Sequence, residues 1–144
     1  MDSTKLEMAG SWSAYWYNGY IYSTEISRGL DVLELRPSVQ LTQNEIDAAK
    51  LVKLAYQNVQ DQQRVTWPAS FVVARAYLDQ LERSHGLAAD RIGAARSALA
   101  SAELGRAGRR ATLTTLATQL DRDARSASDA TKVRTLAAVV RGIR

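Results

Sequence analysis

The stretch GSWSAYWYNGYIYSTEISRGLDVLEL, residues 10–35, decides how the N-terminal part of this chain folds. Six aromatic residues, Trp12, Tyr15, Trp16, Tyr17, Tyr20 and Tyr22, fall within eleven positions. From Ser11 to Tyr17 the pattern alternates: Trp12, Ala14 and Trp16 share one face of a strand, and Ser13, Tyr15 and Tyr17 share the other. Asn18-Gly19 tolerates the positive φ angles of a type I′ turn, and YIYSTEI resumes the strand. Ser27-Arg28-Gly29 punctuates again before LDVLEL, where Leu30 and Val32 oppose Asp31, Leu33 and Leu35. The reading is a three-stranded antiparallel meander. Because both faces carry apolar side chains, each face predicts a covering layer.

Beyond Pro37 the periodicity changes to helical. LTQNEIDAAKLVKLAYQ opens on Thr42 and Glu45 at capping-box spacing, and Ala48, Leu51, Val52 and Ala55 share one helical face. NVQDQQRVT reads as loop, and Trp67-Pro68 as the first turn of the next helix, since proline suits that position. Phe71, Ala74, Leu78 and Leu81 then recur at three and four residues until Gly86. Three shorter periodic runs follow. Ile92, Ala95, Leu99 and Ala102 end at Gly105; Leu113, Leu116, Leu120 and Ala124 come next. Val133, Leu136, Val140 and Ile143 form the last run, with Ser126 or Ser128 as N-cap. The predicted class is α+β, mostly α. Residues 1–37 form the meander, 38–86 two linking helices packed near it, and 87–144 a small basic three-helix bundle with a thin, Ala-rich core.

Composition narrows the function. The chain of 144 residues contains no cysteine and a single histidine, His85. Disulfides, thiolate metal sites and paired-His metal sites are therefore excluded, and a Ser-His triad would hang on one residue. His85 precedes Gly86 where a helix should end, which reads as a polar C-terminal cap. No apolar window is long enough to span a membrane, and MDSTKLEMAG, with Asp2 and Glu7 and no apolar core, is not a signal peptide. Asp121 and Asp123 sit on divergent helical faces, Asp31 and Glu34 at a strand end, Glu45 in a cap and Asp47 on a solvated face. With no phosphate loop, nucleophile elbow or metal-ligand spacing, these residues point away from catalysis, and no cofactor is implied.

The stretch WSAYWYNGYIYSTEISRGLDVLEL resembles the final repeat of bacterial LVIVD-repeat proteins, through the YWYNGYIY hairpin and the RGLDVLEL strand. The likeness continues through LTQNEIDAAKLV and WPASFVVARAYLDQL, similar to the C-terminal extension of actinobacterial members, so that residues 5–85 carry it. The resemblance implies a β-propeller blade, and propellers need several blades, normally of four strands each. It therefore implies a truncated chain, the C-terminal fragment of an exported, extracytoplasmic protein whose upstream blades are missing. Those blades, or another protein, would then be its partner. It implies no activity, because propellers host many unrelated functions.

Two surfaces remain as candidate sites. The aromatic ribbon (Trp12, Tyr15, Trp16, Tyr17, Tyr20, Tyr22) can serve as packing surface or as a stacking platform for flat ligands. The charge is uneven: residues 91–144 hold eleven basic and four acidic side chains of a chain whose formal net charge is +4. Arg106, Arg109, Arg110, Arg122 and Arg125 are candidate polyanion contacts, for an acidic envelope polymer or nucleic acid. Nucleic acid is the weaker of these readings, since no aromatic residue for base stacking follows Tyr77. A basic helical nucleic-acid module is the alternative to the propeller-type reading.

Overall fold

The computed structural model describes residues 10–27, 29–61, 63–105 and 107–144. Asp2, Glu7, Arg28 and Arg106, all named above, lie outside the described residues. Three strands, β1 (Ser11–Tyr17), β2 (Tyr20–Glu25) and β3 (Gly29–Leu33), pair antiparallel in the order β1-β2-β3. Asn18 (φ 52°) and Gly19 (φ 106°) take the left-handed conformations that the tight β1–β2 turn demands. Helices α1 (Gln43–Lys50), α2 (Phe71–Arg83), α3 (Ala89–Leu104), α4 (Arg109–Asp123) and α5 (Ala130–Gly142) follow. The expected class, α+β and mostly α, is the observed one.

Cross-strand partners share a face. Tyr15, Tyr22 and Val32 are aligned across the sheet, with Tyr17 and Tyr20 on one side of that row and Ser13, Thr24 and Leu30 on the other. Trp16, Ile21 and Leu33 lie on the opposite face with Ala14, Ser23 and Asp31. The register shifts between Ser11 and Ser13, so Trp12 occupies an irregularity rather than a regular place on the Trp16 face. Glu25, buried at the far end, accepts from the backbone N–H groups of Gly10 and Ser27 at 2.8 and 2.9 Å. A carboxylate can satisfy both donors at once, which ties the strand ends together.

The helical core runs through four helices. Ala74, Leu78 and Leu81 of α2 belong to one buried cluster with Ile92, Ala95 and Leu99 of α3, Leu113, Leu116 and Leu120 of α4, and Val133, Leu136 and Val140 of α5. The boundary expected at residue 87 falls inside this shared core. Ala117 and Ala137, fully buried, let α4 and α5 approach closely. No residue of the described sheet belongs to either hydrophobic cluster. The sheet is an appendage to the bundle.

Three local expectations change. The first helix stops at Lys50 instead of running on to residue 57, and Leu51 is left exposed. Beyond its end the Leu54 backbone pairs with the Asn18 side chain, as described below. Helix α2 begins at Phe71 with Ser70 as N-cap, so Pro68 precedes the helix rather than opening it. Ser70 can accept from the orphan Val73 N–H, at 3.2 Å, which proline cannot do. The N-cap of α5 is Asp129, not Ser126 or Ser128; its carboxylate accepts from the Lys132 N–H at 2.9 Å.

The α2 terminus explains the lone histidine. The Gly86 N–H donates to Leu81 O (2.8 Å) and the His85 N–H to Glu82 O (3.1 Å), which is the Schellman pairing. His85 holds the left-handed position (φ 51°) that glycine usually fills. Gly86 follows because a Cβ there would lie 2.9 Å from Leu81 Cδ2 and 3.0 Å from Asp129 Cβ.

Candidate functional site

The sheet separates the six aromatic residues. Tyr15, Tyr17, Tyr20 and Tyr22 lie on one face and Trp16 on the other, while Trp12, at the bulge, is 75% exposed. The two faces meet different surroundings. Trp16 is half-buried beside a cavity of about 230 Å³ lined by Leu35, Ala49, Val52, Val65 and Trp67. On the tyrosine face Tyr15, Tyr20, Leu30 and Val32 are all exposed, Leu30 by 59%, without the expected cover among the described residues, and on the Trp16 face Leu33 is exposed as well.

One flank of that face is walled. Gln57, Asn58 and Val59, from the loop after α1, rise beside Tyr15, Tyr17 and Tyr22 to form an open groove of about 580 Å³. The Tyr17 and Tyr22 rings stand 6.2 Å apart and tilted by 59°, an arrangement aromatic pairs favour. The Tyr17 hydroxyl donates to Leu54 O (3.0 Å) and Ala55 O (3.1 Å), which fixes its ring as the inner wall. Among the described residues that line the groove none is charged, and they offer a ligand apolar ring faces with hydroxyl and amide edges. Such a surface suits extended or flat, uncharged partners.

The sheet is held to the helices mainly at its first turn. Asn18 Nδ2 donates to Leu54 O at 2.9 Å while the Leu54 N–H donates to Asn18 Oδ1 at 2.8 Å. The side-chain amide thus pairs with a backbone peptide as a neighbouring strand would. Lys53 Nζ donates to Asn18 O (3.0 Å), and Lys50 Nζ pairs with Glu34 (3.0 Å). The lysine ammonium draws the Glu34 carboxyl below its usual range.

Of the arginines expected to contact polyanions, the four described ones, Arg109, Arg110, Arg122 and Arg125, lie at two ends of α4. Arg109 donates from Nε to Ala102 O (3.0 Å) and from Nη2 to Glu103 O (3.2 Å), closing the C-terminal end of α3. Its guanidinium also sits 5.7 Å over the Phe71 ring. Arg110 is exposed beside it, whereas Arg122 and Arg125 are exposed at the other end of α4, about 18 Å of helix away. Arg109 and Arg110 instead share a groove of about 770 Å³ with Arg141 and Arg144 over a floor of Leu113 and Val140. Arg141 there pairs with Asp121, and Arg91 holds Asp123 at 3.0 Å. These pairings were not legible from spacing.

Sequence reading also missed a buried polar joint between α1 and α2. Thr42 caps α1 and donates its hydroxyl to Asp79 Oδ2 at 2.7 Å; Asn44 Nδ2 donates to the same oxygen at 2.8 Å. Arg96 of α3 reaches Asp79 Oδ1 at 2.8 Å. The capping box was legible at Thr42 and Glu45, but the buried carboxylate it meets, Asp79, carried no local signal. The joint is fully hydrogen-bonded and closed. Among the described residues, no group of three His, Cys, Asp or Glu is placed to hold a metal ion, and no helix is long and apolar enough to cross a membrane. In comparisons with known proteins, no family model, curated protein or solved structure matches this chain.

Proposed function

We propose that this chain is a non-catalytic interaction module whose tyrosine-faced sheet packs against β-structure of a larger assembly, as a terminal blade does in an LVIVD-type propeller. The observation that carries this is the uncovered face: Tyr15, Tyr20, Leu30 and Val32 stand exposed together while the helices complete their own core without them. A contiguous exposed apolar surface of this kind marks an interaction site. Among the described residues, β1 and β3 are the edge strands of the sheet, and edge strands are where further strands add. The four-helix core is the extension that follows the blade, and Arg91, Arg96, Arg109 and Arg141 within it are engaged in internal pairing.

The reading is tested at the DNA level and at the surface. The reading frame upstream of the Met1 codon should encode further repeats with glycine turns and a Gly-Leu-hydrophobic-Asp strand. Co-expression of that segment should protect Tyr15 and Tyr20 from nitration. A stop codon directly upstream, or unchanged nitration in the presence of the added repeats, would overturn the proposal.

A further inference from the structure

The Asn18–Leu54 pairing puts a reactive dipeptide at a joint where two reciprocal hydrogen bonds tie the first turn of the sheet to the segment after α1. Asn followed by Gly is the sequence in which a backbone nitrogen most readily attacks a side-chain amide, because glycine lacks the Cβ that would block the approach. Here both halves of the reacting pair are held. The Asn18 amide is engaged on its oxygen by the Leu54 N–H and on its nitrogen by Leu54 O. Gly19 is buried, and a Cβ at that position would lie 3.3 Å from Lys50 Cγ. Its partner Asn18 is fixed in the left-handed region. The attack requires Asn18 Cγ to swing toward the Gly19 nitrogen, and that motion breaks both bonds to Leu54.

We infer that Asn18–Gly19 is a modification site by deamidation, protected while the joint is closed, whose reaction releases the first turn of the sheet from the segment after α1. The Gly19 nitrogen bonds to Asn18 Cγ, its proton passes to the departing amide nitrogen, and ammonia leaves. Water then opens the cyclic imide at either carbonyl to give aspartate or isoaspartate. The net change is Asn plus water to Asp plus ammonia, with no redox step. Aspartate cannot restore the joint. Where Nδ2 donated to Leu54 O at 2.9 Å, a carboxylate oxygen would face a carbonyl oxygen with no hydrogen between them. Isoaspartate additionally lengthens the backbone of a turn that the strand pairing holds tightly. The release reaches the groove, because Tyr17 bonds the same Leu54 carbonyl and residues 57–59, on the same loop, form the groove wall.

The test follows conversion of Asn18 in the full chain by peptide mass spectrometry, in native buffer and in concentrated urea at the same pH and temperature. Native conversion should be slower by about tenfold or more, since only the locally opened state reacts. Tyr17→Phe, which removes the hydroxyl on Leu54 O, should speed the native reaction without affecting it in urea. The deamidated protein, and Asn18→Asp independently, should lose hydrogen-exchange protection at Leu54 while α2 to α5 keep theirs. Equal rates in native buffer and urea, or an unchanged Leu54 amide after conversion, would overturn the inference.

Discussion

Arg83 and Glu45 meet through two parallel hydrogen bonds, Nη1 to Oε2 at 2.9 Å and Nη2 to Oε1 at 2.7 Å. Glu45 is buried and Oε2 also accepts from the Thr42 N–H at 2.7 Å, so one carboxylate closes the α1 cap and binds α1 to α2. The Arg83 hydrogen bonds foremost, with the Thr42 N–H assisting, outweigh burial and bring Glu45 down to about 2 from 4.5.

The pH dependence follows from that depression. The native state binds the Glu45 proton less readily than the unfolded chain. The stabilisation is therefore complete above the unfolded value of 4.5 and is lost as pH falls toward about 2. Glu45→Gln should cost on the order of 2 kcal/mol at neutral pH and flatten the acid limb of the stability curve. Urea melts of both proteins across that pH range check this; parallel acid limbs would contradict it.

His85 offers a gain in stability. A non-glycine residue in the left-handed region carries a strain that glycine lacks, so His85→Gly should raise stability by about 1 kcal/mol. Gly86→Ala should do the reverse, because the added methyl meets Leu81 Cδ2 at 2.9 Å. Thermal melts of the two variants should move in opposite directions.

Two adjacent arginines should behave differently. Arg109→Ala removes hydrogen bonds to Ala102 O and Glu103 O and the stack on Phe71, and should cost about 1–2 kcal/mol. Arg110→Ala, on an exposed side chain, should stay within about 0.5 kcal/mol of the parent. Equilibrium denaturation separates them, and equal losses would remove the structural role given to Arg109.

Leucines in the bundle and on the sheet should also separate. Leu136 is fully buried, and Leu136→Ala should cost about 2–5 kcal/mol. Leu30, 59% exposed, should tolerate Leu30→Ser with little loss of stability, and the change should lower dye binding at the open face. A comparable loss from both would mean that the tyrosine face is covered in the free chain.

By itself the sequence determined the elements and their inner faces. Alternation around Asn18-Gly19 and the break at residues 27–29 specify three strands, and the spacing of Ile92, Ala95, Leu99 and Ala102 specifies a buried helical stripe, because such patterns follow from the backbone period alone. The capping box at Thr42 and Glu45 was legible for the same reason: its partners are three residues apart. What only the tertiary structure decided depends on residues far apart in the chain. Asn18 meets Leu54 beyond the end of α1; Asp79 and Arg83 receive the α1 cap; and α2 joins the bundle. The aromatic set could be named from composition, but its open face could not. Both sides of the ribbon carry large apolar groups, and which of them meet residues 49–67 depends on contacts between positions far apart in the chain.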